Sequence, residues 1–222
     1  MGRREQIVAT AAELFASRGF HGVSVGDLGA ACGVSGPALY KHFASKEAIL
    51  AEMLVRISEE LLYVGRERVA GHEPAAAVGA LVEWHVDFAL RHKALIIVQD
   101  RDWQSLPEEA RERARTLQRE YVDLWADRLR GARPGLDPDR ARAMAHVAFG
   151  LINSTPHSDL LPVEQMRALL RTMALDALGI PGPPGAADAS TDDAADDTGE
   201  SHRPHKPRWS PGGPDLVGIL PG

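Results

Sequence analysis

Residues 24–43 of the chain read SVGDLGAACGVSGPALYKHF. Apolar side chains recur in this stretch at spacings that bring two short helices together around a small shared core. Gly33 stands between them, where the chain must turn sharply with a positive φ that glycine adopts without steric cost. Ser24 and Asp27 have the spacing of a capping box before the first helix, and Ser35 caps the second. The stretch therefore predicts a helix-turn-helix, whose second helix is suited to the major groove of DNA.

Helical patterning extends over residues 1–180, because apolar side chains recur three and four positions apart and alternating β-branched runs do not occur. Glycine and proline mark helix ends: Gly19 closes the first helix, Pro74 opens the fifth and Gly179 closes the last. The predicted helices span about residues 3–18, 24–31, 35–43, 45–70, 74–92, 94–103, 107–130, 138–153 and 162–178. The sequence therefore predicts an all-α protein of about nine helices.

The last 42 residues, 181–222, differ in composition from the rest, with 8 of the 15 prolines and 7 of the 21 glycines. An acidic block at residues 188–200 precedes a short basic patch at residues 203–208. Such a segment buries too little apolar surface to offset the entropy cost of ordering, so we expect a disordered tail. Its final apolar run, residues 216–220, is either a short docking peptide or a frayed end, and we favour the second interpretation.

Composition excludes several classes of protein. The chain has 222 residues, a formal net charge of −6 and a single cysteine, Cys32, which excludes an intramolecular disulfide and a cysteine-rich zinc site. No run of about 18 apolar residues occurs, and no apolar segment follows the charged amino terminus. We therefore expect a cytoplasmic protein with no membrane span. No G-x-S-x-G, H-E-x-x-H or phosphate-binding loop occurs, so we expect no catalytic residues, no metal and no cofactor.

Five short motifs follow one another in the first 52 residues. They are LFASRGF at residues 14–20, VSV at 23–25, GVS at 33–35, LYKHF at 39–43 and SKEAIL at 45–50. The series resembles the TetR/AcrR family of one-component transcriptional regulators. The resemblance implies three parts of the chain. They are a DNA-binding domain at residues 1–52 with its helix-turn-helix at 24–43, a ligand-binding and dimerisation domain at 53–180, and the tail at 181–222.

The resemblance also implies a function: a repressor that binds double-stranded operator DNA as a homodimer and is released by a small apolar effector. Many family members that govern lipid catabolism bind acyl-coenzyme A thioesters, so this effector class is our first hypothesis, ahead of hydrophobic drugs and aromatic metabolites. Five basic and three acidic residues in residues 1–46 give the sign of charge that DNA requires. The alternative is an effector-binding or interaction protein that keeps the fold with weak or no DNA binding.

The head of the second helix of the motif offers few long polar side chains for reading bases. Ser35, Lys41 and His42 have donors for base edges, and Ala38 can touch a thymine methyl group. By resemblance, Tyr40 contacts phosphate, although a core position for its ring is the alternative. The expected DNA-binding residues are Ser24, Ser35, Gly36, Pro37, Ala38, Tyr40, Lys41, His42 and Lys46.

Two residues near the motif depart from simple helix rules. Gly29 lies inside the first helix of the motif, where the family usually has alanine, and costs about 1 kcal/mol of helix propensity. Lys46 lies in the first turn of the fourth helix, where a cation opposes the helix dipole. We therefore expect an anion beside Lys46, and the resemblance makes that anion a DNA phosphate.

Large aromatic and polar side chains in the carboxy-terminal half predict an effector pocket, with solid core as the open alternative for each of them. His146, Phe149 and Asn153 share one face of the eighth helix, where a His146–Asn153 pair either orients a ligand or makes an ordinary polar contact. One of residues 99–102 is expected to point inward, because they directly follow an apolar run. The expected pocket residues are Trp84, His85, Phe88, Trp103, Tyr121, Trp125, His146, Phe149 and Asn153.

The last two helices carry apolar stripes with small residues between them. One stripe covers the core of the protomer itself, and a second needs a partner chain. A homodimer also provides the two recognition helices that a symmetric operator requires. The expected interface residues are Met144, Ala148, Leu151, Ile152, Met166, Leu170 and Met173.

Overall fold

The structure, a computed structural model, describes residues 2–158 and 160–181. These residues form nine α-helices, two single 3-10 turns and no strand, which confirms the predicted all-α class. The helices are α1 (Arg3–Arg18), α2 (Val25–Ala31), α3 (Gly36–Leu39), α4 (Lys46–Val69), α5 (Pro74–Arg91), α6 (Lys93–Asp102), α7 (Glu108–Ala132), α8 (Pro138–Ile152) and α9 (Val163–Leu178). The 3-10 turns are Trp103–Ser105 and Thr155–His157. Of the predicted tail, only Pro181 lies within the described residues.

Side-chain caps fix the helix starts where the sequence predicts them. The hydroxyl of Ser24 accepts a hydrogen bond from the Asp27 amide, and the Asp27 carboxylate accepts from the Ser24 amide, which completes the capping box. Ser35 and Ser45 cap α3 and α4 in the same way, each through the amide three residues on. Gly33 adopts a φ of +66° in the turn between α2 and α3.

The third helix is shorter than predicted. The pattern predicts a helix over residues 35–43, but α3 contains only Gly36–Leu39. Successive turns then continue the coil: the Lys41 amide donates to the Ala38 carbonyl at 3.3 Å and the His42 amide donates to the Leu39 carbonyl at 2.9 Å. Phe43, which follows these turns, is buried in the amino-terminal part of the chain and is 3% exposed.

The buried side chains form two hydrophobic clusters. The first, the amino-terminal core, contains buried residues of α1, α2 and α3 and the first half of α4, together with Val98 and Leu106. The second, the carboxy-terminal core, contains buried residues of the second half of α4 and of α5, α7, α8 and α9. The 24-residue helix α4 is therefore part of both cores. The boundary predicted at residues 52 and 53 falls within α4.

Helices α4 and α7 cross very closely. Gly65 of α4 lies against Tyr121 of α7, and a Cβ at position 65 would stand 2.8 Å from the Tyr121 ring. Real Cβ atoms do not approach a neighbour this closely, so glycine sets the distance between the two helices here. The close crossing places Tyr121 in the carboxy-terminal core beside α4 and α5.

Gly29 has a structural role that helix propensity does not reveal. A Cβ at position 29 would lie 2.9 Å from the Val34 carbonyl oxygen and 3.3 Å from the Gly36 amide nitrogen. Both neighbours are backbone atoms that cannot move aside as a flexible side chain would. The turn between α2 and α3 therefore folds directly onto Gly29, and it is held there by the Val34 amide, which donates to the Gly29 carbonyl at 2.9 Å.

We therefore predict that Gly29→Ala lowers the free energy of unfolding by about 1–3 kcal/mol, because the clash with the turn outweighs the gain in helix propensity. Gly26→Ala is the matched control, since a Cβ there meets only the Ser24 hydroxyl at an ordinary 3.5 Å. The control is expected to match or exceed wild-type stability in urea unfolding. A Gly29→Ala protein as stable as the Gly26→Ala protein would contradict the role assigned to this glycine.

Candidate nucleic-acid interface and effector site

The exposed face of the helix-turn-helix is formed by α3 and the turns that follow it. Ser35, Pro37, Tyr40 and Lys41 are exposed, and Tyr40 has 54% of its surface accessible. A core position for the Tyr40 ring is therefore wrong. The Lys41 ammonium makes no ion pair or hydrogen bond with any residue that the structure describes. Ala38 and His42 are half-buried and lie at the edge of the same face.

Lys46 is directed into the protein. Its ammonium donates to the Phe20 carbonyl at 2.7 Å and the Val23 carbonyl at 2.8 Å, and it lies 4.2 Å from the centre of the Phe20 ring. Where the sequence predicts an anion beside Lys46, the structure has two carbonyl oxygens of the α1–α2 loop. This geometry differs from the expected phosphate contact, because two of the three ammonium donors are already used. Lys46 ties the first turn of α4 to that loop.

Ser24 is also engaged within the motif. Its hydroxyl and its amide both bond to Asp27, and these contacts hold the pKa of the Asp27 carboxyl below its usual range. The carboxylate and the hydroxyl are both exposed enough to meet solvent, but their hydrogen-bonding capacity serves the capping box first. Both donors of Ser24 are therefore used within the helix-turn-helix.

Arg4 contacts the end of the helix-turn-helix at His42 and Phe43, a role that the sequence does not reveal. Its guanidinium donates to both Glu52 carboxylate oxygens, at 2.9 and 2.8 Å from Nε, and also to the His42 carbonyl. The same group lies 4.0 Å from the centre of the Phe43 ring. Arg4 therefore fixes the end of the helix-turn-helix against α1 and α4.

Arg101 makes a corresponding contact from α6. Its guanidinium donates to the carbonyls of Phe15 and Ala16, at the carboxyl end of α1, the Ala16 distance being 3.1 Å. A cation is favoured there by the negative end of the helix dipole. The neighbouring carboxylate of Asp102, whose side chain is only 6% exposed, pairs with Arg101 at 3.1 Å. Asp102 is the inward-pointing residue that the sequence predicted among residues 99–102.

Five of the predicted pocket residues meet in the carboxy-terminal core around the buried His85. Its Nδ1 lies 3.3 Å from the Tyr121 hydroxyl, and its Nε2 lies 3.2 Å from the Asn153 carbonyl oxygen. The ring stacks on Phe149 with centroids 4.7 Å apart and meets Trp125 edge-on at 6.0 Å. We call His85, Tyr121, Trp125, Phe149 and Asn153 the aromatic cluster. Phe88 lies at its edge, 6.0 Å from the His85 ring.

Burial governs protonation in this cluster. It lowers the pKa of His85 to about 4, because the charged imidazolium loses its water, and the bond to Asn153 only partly offsets this effect. His85 is therefore neutral at pH 7. Since the Asn153 oxygen only accepts, the proton is on Nε2, and Nδ1 accepts from the Tyr121 hydroxyl. Burial also raises the pKa of Tyr121, with a small opposing effect from Trp125, so the phenol keeps its proton.

Three predicted pocket residues lie elsewhere. Trp84 donates its indole N–H to the Leu61 carbonyl of α4 at 3.3 Å, and Trp103 packs against the amino-terminal core. His146 is exposed and only touches the Phe149 ring edge-on, so the predicted buried His146–Asn153 pair is wrong. The partner of Asn153 is His85, which lies 68 positions away in the sequence. Spacing along one helix could not reveal this pairing.

The described residues form neither a membrane-spanning helix nor a metal site. Among them, no helix is long and apolar enough to cross a membrane. No group of three or more histidine, cysteine, aspartate or glutamate side chains in the same residues is placed to hold a metal ion.

Comparisons with known proteins agree with this geometry. Residues 7–53 match the model of bacterial regulatory proteins of the tetR family, and residues 71–157 match the tetracyclin repressor-like carboxy-terminal domain. The chain belongs to the TetR/AcrR family. The two matched segments correspond to the helix-turn-helix with its supporting helices and to most of the helices that carry the aromatic cluster.

Several individual proteins and solved structures are similar to this TetR/AcrR chain. It is 34% identical over 126 residues to the HTH-type transcriptional repressor KstR2 of Rhodococcus jostii, a match that covers 56% of this chain and 62% of that one. A TetR-family regulator from Bordetella parapertussis superposes with a TM-score of 0.72 at 27% identity, covering 85% of this chain and 98% of the other. FadR of Bacillus subtilis in complex with stearoyl-CoA has the same fold, with a TM-score of 0.63, 17% identity and coverage of 78% and 98%.

The apolar stripe predicted for dimerisation of this TetR/AcrR chain is partly core. Ala148, Ile152, Met166 and Leu170 are buried within the chain's own carboxy-terminal core, and Met144 and Leu151 pack against it. The helical pattern could not separate the inward face from the outward one, because both are apolar. Of the predicted set, only Met173 is clearly exposed, at 46%. The other exposed large apolar residues of α8 and α9 are Val147, Val163 and Leu169.

We predict that His85 makes stability fall as the pH is lowered. Unfolded chains take up a proton at His85 near pH 6.5, whereas the buried ring resists protonation down to about pH 4. Stability is therefore lost as the pH falls from 6.5 towards 4, by about 2 kcal/mol between pH 7 and pH 5. Urea unfolding of wild type and His85→Gln at both pH values measures the difference. Equal losses in the two proteins would contradict the assignment.

Proposed function

We propose that the protein is a repressor that binds a double-stranded operator as a homodimer and leaves it when a small apolar effector binds. The observation that carries the proposal is the exposed face formed by α3 and the turns after it, where Tyr40 is 54% exposed and the Lys41 ammonium has no partner in the described residues. A protein that had kept only the fold would have no need of such a face. The matches to the family support the same reading.

The contacts we propose divide into two kinds. Ser35, Lys41 and His42 reach base edges in the major groove, with Ala38 and Pro37 close to the groove floor, while Tyr40 contacts phosphate. Lys46, Arg4 and Arg101 act from behind as positioning residues, since each already binds backbone carbonyls. Because α3 itself has no long polar side chain and only Lys41 and His42 follow it, we propose that DNA shape contributes to sequence preference.

A homodimer is proposed on the outward faces of α8 and α9. Val147 is 64% exposed and Val163 is 57% exposed, with Leu169 and Met173 on the same pair of helices. Exposed apolar side chains in such number on two adjacent helices are typical of a surface that a partner covers. Pairing of two such faces would set the two α3 helices apart, as half-sites about 34–36 Å apart require.

The aromatic cluster is the proposed effector site. In the structure its rings pack against each other, so an effector must displace side chains to enter. His85 bonds to Tyr121 and Asn153, whereas the buried indole N–H of Trp125 has no hydrogen-bond partner among the described residues. Phe149 and Asn153 are only half-buried and form the side through which this can happen. An acyl-coenzyme A thioester is our first hypothesis, since FadR of Bacillus subtilis holds stearoyl-CoA on the same fold. Hydrophobic drugs and aromatic metabolites are the next classes.

Operator binding is tested by gel shift with a DNA fragment from the region upstream of the protein's own gene. Lys41→Ala is expected to weaken binding about tenfold or more, because a charged contact to DNA is lost. Arg113→Ala is the matched control, as it removes an exposed cation that pairs with Glu59 on the body of the protein. Lys46→Met is expected instead to lower stability, since two carbonyls lose their donor. Equal affinity of Lys41→Ala, Arg113→Ala and wild type would contradict the proposed interface.

The effector site is tested with stearoyl-CoA added to the operator complex. We expect release of DNA from the wild-type protein, and a shift of the required concentration by about tenfold or more in Phe149→Ala, because the half-buried ring borders the entrance. Arg140→Ala is the control on the same helix, since it removes an exposed side chain outside the cluster and outside the proposed dimer face. Release of both variants at the wild-type concentration would place the effector elsewhere. No release of wild type would reject this effector class while leaving operator binding intact.

A further inference from the structure

Buried side-chain nitrogens without a hydrogen-bond partner are few in the described residues. They are the indole nitrogens of Trp103 and Trp125 and the Nε atoms of Arg111 and Arg128. Most buried donors in folded proteins are paired, because an unpaired donor loses its water and gains no bond in return. Of these four side chains, only Trp125 belongs to the aromatic cluster, where it is 0% exposed.

The Trp125 indole lies beside a phenol that does not satisfy it. Burial raises the pKa of Tyr121 and the indole opposes this effect, so the two groups are close together. They are not in hydrogen-bond geometry, however, and the indole N–H has no acceptor. The Tyr121 hydroxyl is itself engaged with Nδ1 of His85, at 3.3 Å. The cluster therefore contains an unused donor that is buried among its rings.

The other polar atoms of the cluster also leave donors unused. Nε2 of His85 donates to the Asn153 oxygen at 3.2 Å, whereas the Asn153 amide nitrogen has no partner in the residues that the structure describes. Nδ1 of His85 already accepts from Tyr121, whose oxygen is the one acceptor with capacity left. The unused polar capacity of the cluster is thus mainly that of donors, and an occupant that brings an acceptor matches it.

No member of the cluster carries a charge at pH 7. His85 is neutral because burial lowers its pKa to about 4, and the other four residues have no charged form near this pH. A carboxylate placed among these rings would lose its water with no cation of the cluster to replace it. Burial of a charge costs far more than burial of an uncharged carbonyl that receives a hydrogen bond. The cluster therefore favours an acceptor that is not ionised.

The Phe149 ring packs directly on the indole. The two ring centroids are 5.0 Å apart and the rings are nearly perpendicular, at 87°. Phe149 is half-buried, whereas Trp125 has no exposed surface. Rotation of the Phe149 side chain out of the cluster would open a space of about one aromatic ring beside the indole. An occupant of that size can therefore reach Trp125 without a shift of the helices.

We propose that the aromatic cluster selects an uncharged carbonyl compound with an apolar body, and that the Trp125 indole N–H donates to the carbonyl oxygen. The inference rests on the proposed effector site and names the polar group that the effector carries. An acyl-coenzyme A thioester meets this requirement when its thioester carbonyl reaches the cluster, as do apolar ketones and esters. A hydrocarbon leaves the buried donor unpaired, and a free carboxylate brings a charge.

The proposal is tested by titration calorimetry of the full chain, without DNA, at pH 7. Acetophenone, ethylbenzene and sodium benzoate present the same ring with a carbonyl, a methylene or a carboxylate. We expect saturable binding of acetophenone, binding of ethylbenzene about tenfold weaker, and no binding of benzoate. The indole proton resonance of Trp125 in the wild-type protein is expected to move downfield with acetophenone and not with ethylbenzene, because only the ketone accepts its hydrogen bond.

Trp125→Phe removes the donor and keeps an aromatic ring. Acetophenone affinity is expected to fall about tenfold in this variant while ethylbenzene affinity stays unchanged, so the preference for the ketone disappears. A purely structural role of Trp125 would instead weaken both ligands alike. Trp103→Phe is the matched control, since it removes another buried, unpartnered indole N–H, one that packs against the amino-terminal core. The control is expected to keep the full preference for acetophenone.

Four results would overturn the proposal. They are no saturable binding of acetophenone to wild type, benzoate binding as tight as that of acetophenone, a ketone preference that survives in Trp125→Phe, and an equal loss of that preference in Trp103→Phe. These titrations contain no DNA, so they are separable from the proposed function. Failure of stearoyl-CoA to release the operator would reject that effector and leave the carbonyl selectivity standing. Equal affinity for acetophenone and ethylbenzene, with operator release intact, would reject the selectivity alone.

Discussion

The continuity of α4 is the constraint on which the rest of the structure depends. One uninterrupted helix of 24 residues contributes Ile49 and Leu50 to the amino-terminal core and Leu62 and Val69 to the carboxy-terminal core. A helix with intact hydrogen bonds along its length does not bend freely, so a shift of one end moves the other. The helix-turn-helix therefore takes its orientation from the body through α4. An effector at the proposed site that repacks the helices around α4 would act on the proposed DNA-binding face by this route.

Polar contacts with backbone carbonyls make this connection specific. Lys46 binds the α1–α2 loop to the first turn of α4, and Arg101 binds α6 to the end of α1. Arg4 binds the His42 carbonyl at the end of the helix-turn-helix. Each cation donates to carbonyls at a helix end or in a loop, where carbonyl oxygens have accepting capacity that the helix does not fill. Such contacts depend on direction, unlike apolar packing, and therefore fix how the amino-terminal helices sit on the body.

The sequence predicts what is encoded locally. The helix bounds, the capping box at Ser24 and the turn at Gly33 depend on residues a few positions apart, and the structure confirms them except at the end of α3. Contacts between distant positions are not encoded in any such pattern: Arg4 and Glu52 are 48 positions apart, and Asn153 pairs with His85 rather than with His146. The role of Gly29 also requires the turn that packs on it. For the same reason the inward and outward stripes of α8 and α9 could not be told apart.

Native-state hydrogen exchange along α4 tests the central claim most directly. Because one helix is buried in two cores, we predict that amides in residues 46–54 and in residues 57–69 exchange with the same free energy as denaturant is added, through opening of the whole protein. The result that would contradict the account is exchange of residues 46–54 through a separate opening of lower free energy while residues 57–69 stay protected. The two cores would then unfold independently, and α4 would not transmit a change from one to the other.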